Sequence, residues 1–201
     1  MILVDLNQVL ISNLMAQTRG MVDELPDKSM LRHMVLNSLR GYNLKFKHEY
    51  GTIILCADGA NPWRRGIFPN YKHSRRKGRE EDTKDWSSLF KMIGEIREEL
   101  AQNFPYITLH IDGVEADDII AVLVKENYTK EKIMIVSGDK DFIQLHKYEG
   151  VKQYAPIQKK FVEDPDPVKF LHEQIIKGDR SDGVPNILSA DNVFLIKEKQ
   201  R

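Results

Sequence analysis

The chain has 201 residues, enough to bury a substantial core in one domain, or in one domain and the beginning of a second. A single cysteine, Cys56, excludes an internal disulfide, and no apolar run approaches the roughly 18 residues of a membrane span, so the expected setting is soluble and in a reducing cytosol. The 30 Lys and Arg balance 30 Asp and Glu, which argues against a uniformly basic polyanion binder; the two signs are segregated into blocks, however, so one surface can be basic and one pocket acidic.

The apolar run "ILVD" (2–5) predicts a buried strand. Leu31, Met34, Val35, Leu39, Tyr42 and Phe46 then recur near helical spacing, and "TIILCAD" (52–58) predicts a second strand. Residues 61–85 are basic, are interrupted by Pro62, Gly66, Pro69 and Gly78, and lack an apolar stripe. They read as an excursion from the sheet, helical in part. Trp86, Leu89, Phe90, Ile93, Ile96 and Leu100 predict a helix leading to the strand "ITLHID" (107–112). Ala116, Ile119, Ile120, Leu123 and Val124 form a third helical stripe, followed by the strands "KIMIVSGD" (132–139) and "VKQYA" (151–155). From "GDRSDGVPN" to "LIKEKQR", residues 178–201 read as the start of an element left unfinished. Alternation of this kind predicts an α/β fold, a mostly parallel central sheet with helices on both faces.

The acids fall at strand ends. Asp5 closes the first strand and Asp58 the second; Glu115, Asp117 and Asp118 follow the third; Asp139 and Asp141 follow the fourth. Strand ends of one polarity share one edge of a parallel sheet, where such folds bind ligands. Each acid alone is most often a turn residue or helix cap. Together they are harder to dismiss, because two like charges about 4 Å apart repel by roughly 4 kcal/mol at an effective dielectric near 20. Several such pairs would consume most of the roughly 5–15 kcal/mol stability of a domain. The site must protonate some acids or bind cations. None of the six histidines has zinc-site spacing, and oxygen ligands suit two Mg²⁺ ions, for which Mn²⁺ can substitute. Such a pocket is suited to attack on a phosphodiester.

Residues 64–79, "RRGIFPNYKHSRRKGR", hold seven Lys/Arg and no acid, with Phe68 and Tyr71 among them and Trp63 just before. Cations neutralise phosphates and exposed aromatics stack on bases. A solvated loop or a localisation signal would also account for the composition. Because the stretch follows Asp58 closely, it reads as a substrate guide, with Lys72 and Arg75 nearest the scissile phosphate if the arm folds back as a helix.

These residues resemble the 5′ nucleases, or flap endonucleases, and their phage members in particular. The matching stretches are "VDLNQVLIS", "ILCADG", "WRRGIFPNYKHSRR", "VEADDIIAVLV", "IVSGDKDFIQLHKY", "VKQYAP" and "IKGDRSDGVPN", in family order to about residue 187. The resemblance implies a PIN-like 5′-nuclease catalytic domain over residues 1–177, a basic arch or bridge at 61–85, and at 178–201 the start of a truncated helix-turn-helix-like duplex-binding region. It implies that Asp5, Asp58, Asp117 and Asp139 surround a first metal, with Glu115 between the two sites and Asp118 as the additional acid. By the same resemblance, Asp141, Asp179 and Asp182 match the acids of the second metal region. Tyr71, Lys72 and Arg75 match the arch motif that contacts the 5′ strand; Arg64 and Arg65 precede it, and Arg76 and Lys77 extend the nucleic-acid-binding set. Lys72, Asp117 and Asp139 are the expected catalytic residues. The implied activity is 5′→3′ exonuclease and flap endonuclease on RNA–DNA and DNA duplexes, serving primer removal in phage replication in the host cytoplasm.

The sequence departs from the family where Gly183 follows Asp182 in place of the usual Asn, and where a Gly-Ile-Gly turn is missing. A C-terminal half on a second chain, a single-strand-binding protein or a sliding clamp are partners suggested by analogy. Two other readings stand beside the nuclease: half of a split enzyme or a binding module with little activity alone, and a PIN-type ribonuclease.

Overall fold

In a computed structural model, which describes residues 1–18, 26–196 and 199–200, the five expected strands join a sixth in one sheet. They are β1 (Ile2–Asp5), β2 (Ile53–Ala57), β3 (Ile107–His110), β4 (Ile133–Val136), β5 (Val151–Ala155) and β6 (Lys160–Val162). The order across the sheet is β3-β2-β1-β4-β5-β6, parallel throughout except for the antiparallel β5–β6 edge. The chain runs outward from β1 through β2 to β3 on one side, then returns to place β4 on the other. The switch point therefore lies between β1 and β4, where Leu3 is registered between Ile54 and Ile135.

The period of two along β1 divides the core. Ile2 and Val4 face α1 (Leu6–Gln17), α2 (Lys28–Tyr50) and α5 (Trp86–Asn103); their partners include Leu10, Leu39 and Ile96. Leu3 faces the other way, against Ile120 and Val124 of α6 (Ala116–Asn127) and Phe142 of a 3₁₀ helix (Lys140–Lys147). With apolar neighbours on both faces, β1 and β4 are buried at every position, which is why they read as continuous apolar runs. Aspartates cap the helices from outside: Asp27 for α2, Asp85 for α5 and Asp166 for α7 (Pro167–Lys177).

Several expectations are corrected. Phe90 lies outside the core, 42% exposed, packed on Trp86 under the Arg79 guanidinium. The buried stripe of α5 consists of Leu89, Ile93, Ile96 and Leu100. The excursion at 61–85 contains two short helices, α3 (Arg64–Ile67) and α4 (His73–Glu80). Among the described residues of 178–201 there are turns and one bridge, Asp179 with Val184, but no helix; residues 197, 198 and 201 of that stretch lie outside the description.

Candidate functional site

β1 and α1 meet at Asp5, whose carboxylate caps α1 by accepting from the Gln8 N–H at 3.0 Å and takes a second hydrogen bond from Ser137 Oγ at 3.0 Å. Asp58, one residue past β2, accepts from the Ala116 N–H at 2.8 Å, the orphan donor at the start of α6. Asp117 follows in the first turn of α6. Asp139 caps the 3₁₀ helix, accepting from the Asp141 N–H at 2.9 Å. Four strand ends thus bring four aspartates to the switch point, as the alternation of elements predicts.

Their electrostatics show how close the charges are. Burial, and then repulsion from Asp5, Asp139 and Asp58, pushes Asp117 up to about 8. Burial raises Asp5 to about 6; the Gln8 N–H and Ser137 hydroxyl act against that, while Asp58 and Asp139 add to it. Asp58 is raised chiefly by burial. Asp141 is raised by burial and by Asp139, with Gln174 Nε2 donating to it at 3.2 Å. These carboxylates repel one another at one sheet edge without forming an ion-sized cage: among the described residues no three acidic, His or Cys side chains are arranged to ligate one point. The donor set is nevertheless all oxygen and mutually repulsive, which fits a hard divalent cation.

Glu115 and Asp118 have a different environment. Glu115 is buried and accepts from Lys72 Nζ at 2.8 Å, Arg64 Nη1 at 2.9 Å and the Tyr71 hydroxyl at 2.9 Å. Both oxygens of Asp118 are gripped by the Arg64 guanidinium at 2.8 and 2.9 Å, and Trp63 Nε1 donates to one of them at 3.1 Å. Burial would raise Asp118; Arg64 outweighs it and holds the carboxyl below its usual range. Positive charge at "EADD" therefore comes at least in part from the protein itself. The chain's own arm supplies it to two of the three acids.

The arm is not one folded-back helix. Lys72 sits before α4 in the left-handed region, φ 54°, with its N–H on the Asp182 carbonyl at 2.7 Å, so its ammonium points down to Glu115. Tyr71 is buried beneath it and is unavailable for base stacking, whereas Trp63 is 51% exposed. Arg75 bonds the Asp182 carboxylate and the Ser181 carbonyl. Arg65, Arg76 and Lys77 are exposed, with Arg76 against His73 and Lys77 near Glu81. Asp179 accepts from the Ser181 and Asp182 N–H groups, which makes the turn that presents Asp182 to the arm. Gly183 closes that turn at φ 76°, and a Cβ there would stand 3.0 Å from the Asn70 carbonyl oxygen. That conformation favours Gly and tolerates Asn, which accounts for the departure noted at this position.

A cleft of about 670 Å³ opens between α3, α6, the 3₁₀ helix and α7. Asp117, Asp118, Asp141, Asp179 and Asp182 line one part; Ile67, Leu171 and Ile175 are among its apolar wall. Sequence reasoning missed the amides that tie the acid-bearing loops together. Asn7 Oδ1 accepts from the Asp58 N–H at 3.1 Å and Gln8 Oε1 from the Gly138 N–H at 2.7 Å. Their adjacency to Asp5 was the one available signal; Gln153 and Gln174 carried none.

A family model described as the 5′-3′ exonuclease N-terminal resolvase-like domain matches residues 1–173. The chain belongs to this family. It is 40% identical over 197 residues to the Ribonuclease H of Enterobacteria phage T4, covering 92% of this chain and 62% of that protein. It is 31% identical over 167 residues to the Flap endonuclease Xni of Shewanella piezotolerans, covering 77% and 61%. The chain thus spans about three-fifths of the length of these two relatives. Two solved structures share the fold at 18–19% identity. One is a bacteriophage T5 flap endonuclease complex with DNA and metal ions (TM-score 0.75, 94% of this chain and 70% of that one). The other is the T5 5′-exonuclease with zinc (TM-score 0.77, 98% and 74%). The fold is therefore the mostly parallel 5′-nuclease sheet. Among the described residues no helix is long and apolar enough to cross a membrane.

Proposed function

We propose that this chain is the catalytic part of a divalent-metal-dependent 5′→3′ exonuclease and flap endonuclease. Its substrates would be RNA–DNA and DNA duplexes and 5′ flaps, and its role the removal of RNA primers during phage replication in the host cytoplasm. The observation that carries the reading is the set Asp5, Asp58, Asp117 and Asp139, one buried and three half-buried at the switch point with charges that oppose one another. The names of the phage T4 and Shewanella relatives, and the DNA and metal ions in the T5 complex, support the same substrate class.

Asp5, Asp58, Asp117 and Asp139 would hold a first Mg²⁺, with Glu115 beside it, and Asp141, Asp179 and Asp182 a second. Bound there, the ions supply Lewis acidity toward the phosphate and lower the pKa of attacking water. The protein's part is to bring the phosphate in. Lys72 and Arg75, held in reserve by Glu115 and Asp182, turn to the entering phosphate, and Arg65, Arg76 and Lys77 hold its neighbours. Arg64 keeps Asp118 and the α6 N-terminus fixed meanwhile.

The test is a 5′-flap cleavage assay in Mg²⁺, with a chelator control and the Asp139→Asn variant. Cleavage should vanish with the chelator and fall by at least about 100-fold in the variant while DNA binding survives. Undiminished cleavage by purified Asp139→Asn protein would overturn the proposal.

A further inference from the structure

The loop Ser137–Gly138–Asp139, which carries one of the four central aspartates, is pinned through nearly all its backbone. The Ser137 N–H donates to the Tyr154 carbonyl at 3.1 Å, the Gly138 N–H to Gln8 Oε1 at 2.7 Å and the Asp139 N–H to Ser137 Oγ at 3.1 Å. Of the loop's three carbonyls, those of Ser137 and Asp139 are both taken by a single side chain. Gln153 of β5, fully buried, donates from Nε2 to the Ser137 carbonyl at 2.9 Å and to the Asp139 carbonyl at 2.6 Å. Both its amide hydrogens are then committed, so Oε1 must face the other way, where His146 Nε2 lies at 2.9 Å. An acceptor there requires the imidazole to carry its hydrogen on Nε2. The orientation of the amide is thus fixed from both ends, and the loop cannot shift without breaking a buried polar network.

We propose that Gln153, oriented by His146, is a positioning residue that sets the placement of Asp139 and of Ser137, and through the Ser137 hydroxyl the placement of Asp5. It touches neither of the carboxylates nor any bound group; it acts on the peptide frame between them. The inference rests on the nuclease reading for its catalytic consequence, but not for its structural one. A buried Gln on this strand could merely fill space, in which case methionine, of similar volume and shape, would serve as well.

Gln153→Met is therefore the informative change, examined first in metal-free protein by amide hydrogen exchange. Exchange at Gly138 and Asp139 should accelerate by at least about tenfold while β1 and β2 keep wild-type protection. Titration with Mn²⁺ alone should then show affinity weakened by about 10–100-fold, and flap cleavage should lose kcat by a similar factor with KM within about threefold. Gln153→Glu, which keeps the size but cannot donate to two carbonyls, should not rescue any of these. Leu100→Ala, a core truncation under α5 on the opposite face of the sheet, controls for general destabilisation and should leave Mn²⁺ affinity and kcat near wild type. Unchanged exchange at Gly138 and Asp139 in Gln153→Met overturns the inference whatever happens to activity. So does a loosened loop with unaltered Mn²⁺ affinity and kcat. Wild-type protein that binds no Mn²⁺ and cuts no flap would instead defeat the nuclease reading, and the catalytic half of this one with it, while the exchange result still judges the pinning.

Discussion

Replacing Asp117 with Asn should remove activity and at the same time make the metal-free protein more stable. The carboxyl is pushed from its ordinary 3.8 to about 8 by burial and by Asp5, Asp139 and Asp58. A displacement of that size corresponds to at most about 5–6 kcal/mol of unfavourable free energy in the fully ionised folded state. Asp117 is only partly closed off from solvent at the mouth of the cleft, so screening reduces the realised penalty to about 1–3 kcal/mol. The sign follows from the raised value. Between about pH 4 and pH 8 the folded protein holds a proton that the unfolded chain has released, so wild-type stability is lost as pH rises through that window. Asn removes this dependence. In chelator at pH 8, Asp117→Asn should melt about 3–10 °C above wild type by scanning calorimetry, and the gap should narrow toward pH 5. Millimolar Mg²⁺ should reverse the order by stabilising wild type more than the variant. A variant that melts at or below wild type in chelator at pH 8 would show that the carboxylates do not repel as described, and the case for cations in the cleft would lose its physical basis.

Lys72→Ala strips a half-buried ammonium from buried Glu115 and should lower kcat for flap cleavage by at least about tenfold while reducing the salt slope of DNA binding by about one phosphate contact. Stopped-flow cleavage at saturating substrate, with an unchanged rate constant, would remove Lys72 from the catalytic set. Gly59→Ala places a Cβ 1.9 Å from the Ile111 carbonyl oxygen, where the loops after β2 and β3 run together. Backbone must move to accept it, and stability should fall by about 2–4 kcal/mol in urea unfolding. A wild-type midpoint would mean that this contact is not close in solution.

The sheet was legible because its central strands are buried on both faces and therefore contain little but Ile, Leu, Val and Met. Their polar residues come only where the strand ends, and this is why Asp5, Asp58 and Asp139 could be located before any coordinates. The parts that escaped notice lack that contrast. β6 is three residues long, with Lys160 and Phe161 exposed, and is recognisable only through its partner β5. α7 buries none of its residues fully, so its sequence carries no stripe that burial would enforce. The arm misled in a more instructive way. Its cations read as a substrate guide for phosphates beside an acidic pocket, but composition cannot distinguish a cation facing solvent from one facing Glu115.

That distinction bears on how the site works. A basic arm that bonded only phosphate would leave Glu115, Asp118 and Asp182 as additional unpaired charges beside four aspartates that already oppose one another. Here Arg64, Lys72 and Arg75 neutralise those three acids within the chain, and the excess negative charge is left on Asp5, Asp58, Asp117, Asp139, Asp141 and Asp179. The fold can therefore be assembled without saturating metal, because only the innermost acids remain uncompensated, and protonation of Asp117 relieves part of that. On the proposed function, a phosphate that drew Lys72 and Arg75 away would leave Asp182 without its ion-pair partners and Glu115 with Arg64 and the Tyr71 hydroxyl alone. Entry of a nucleic-acid strand would in this way raise the demand for divalent charge, since Asp182 would be left as a carboxylate without its cation beside the acids that already oppose one another.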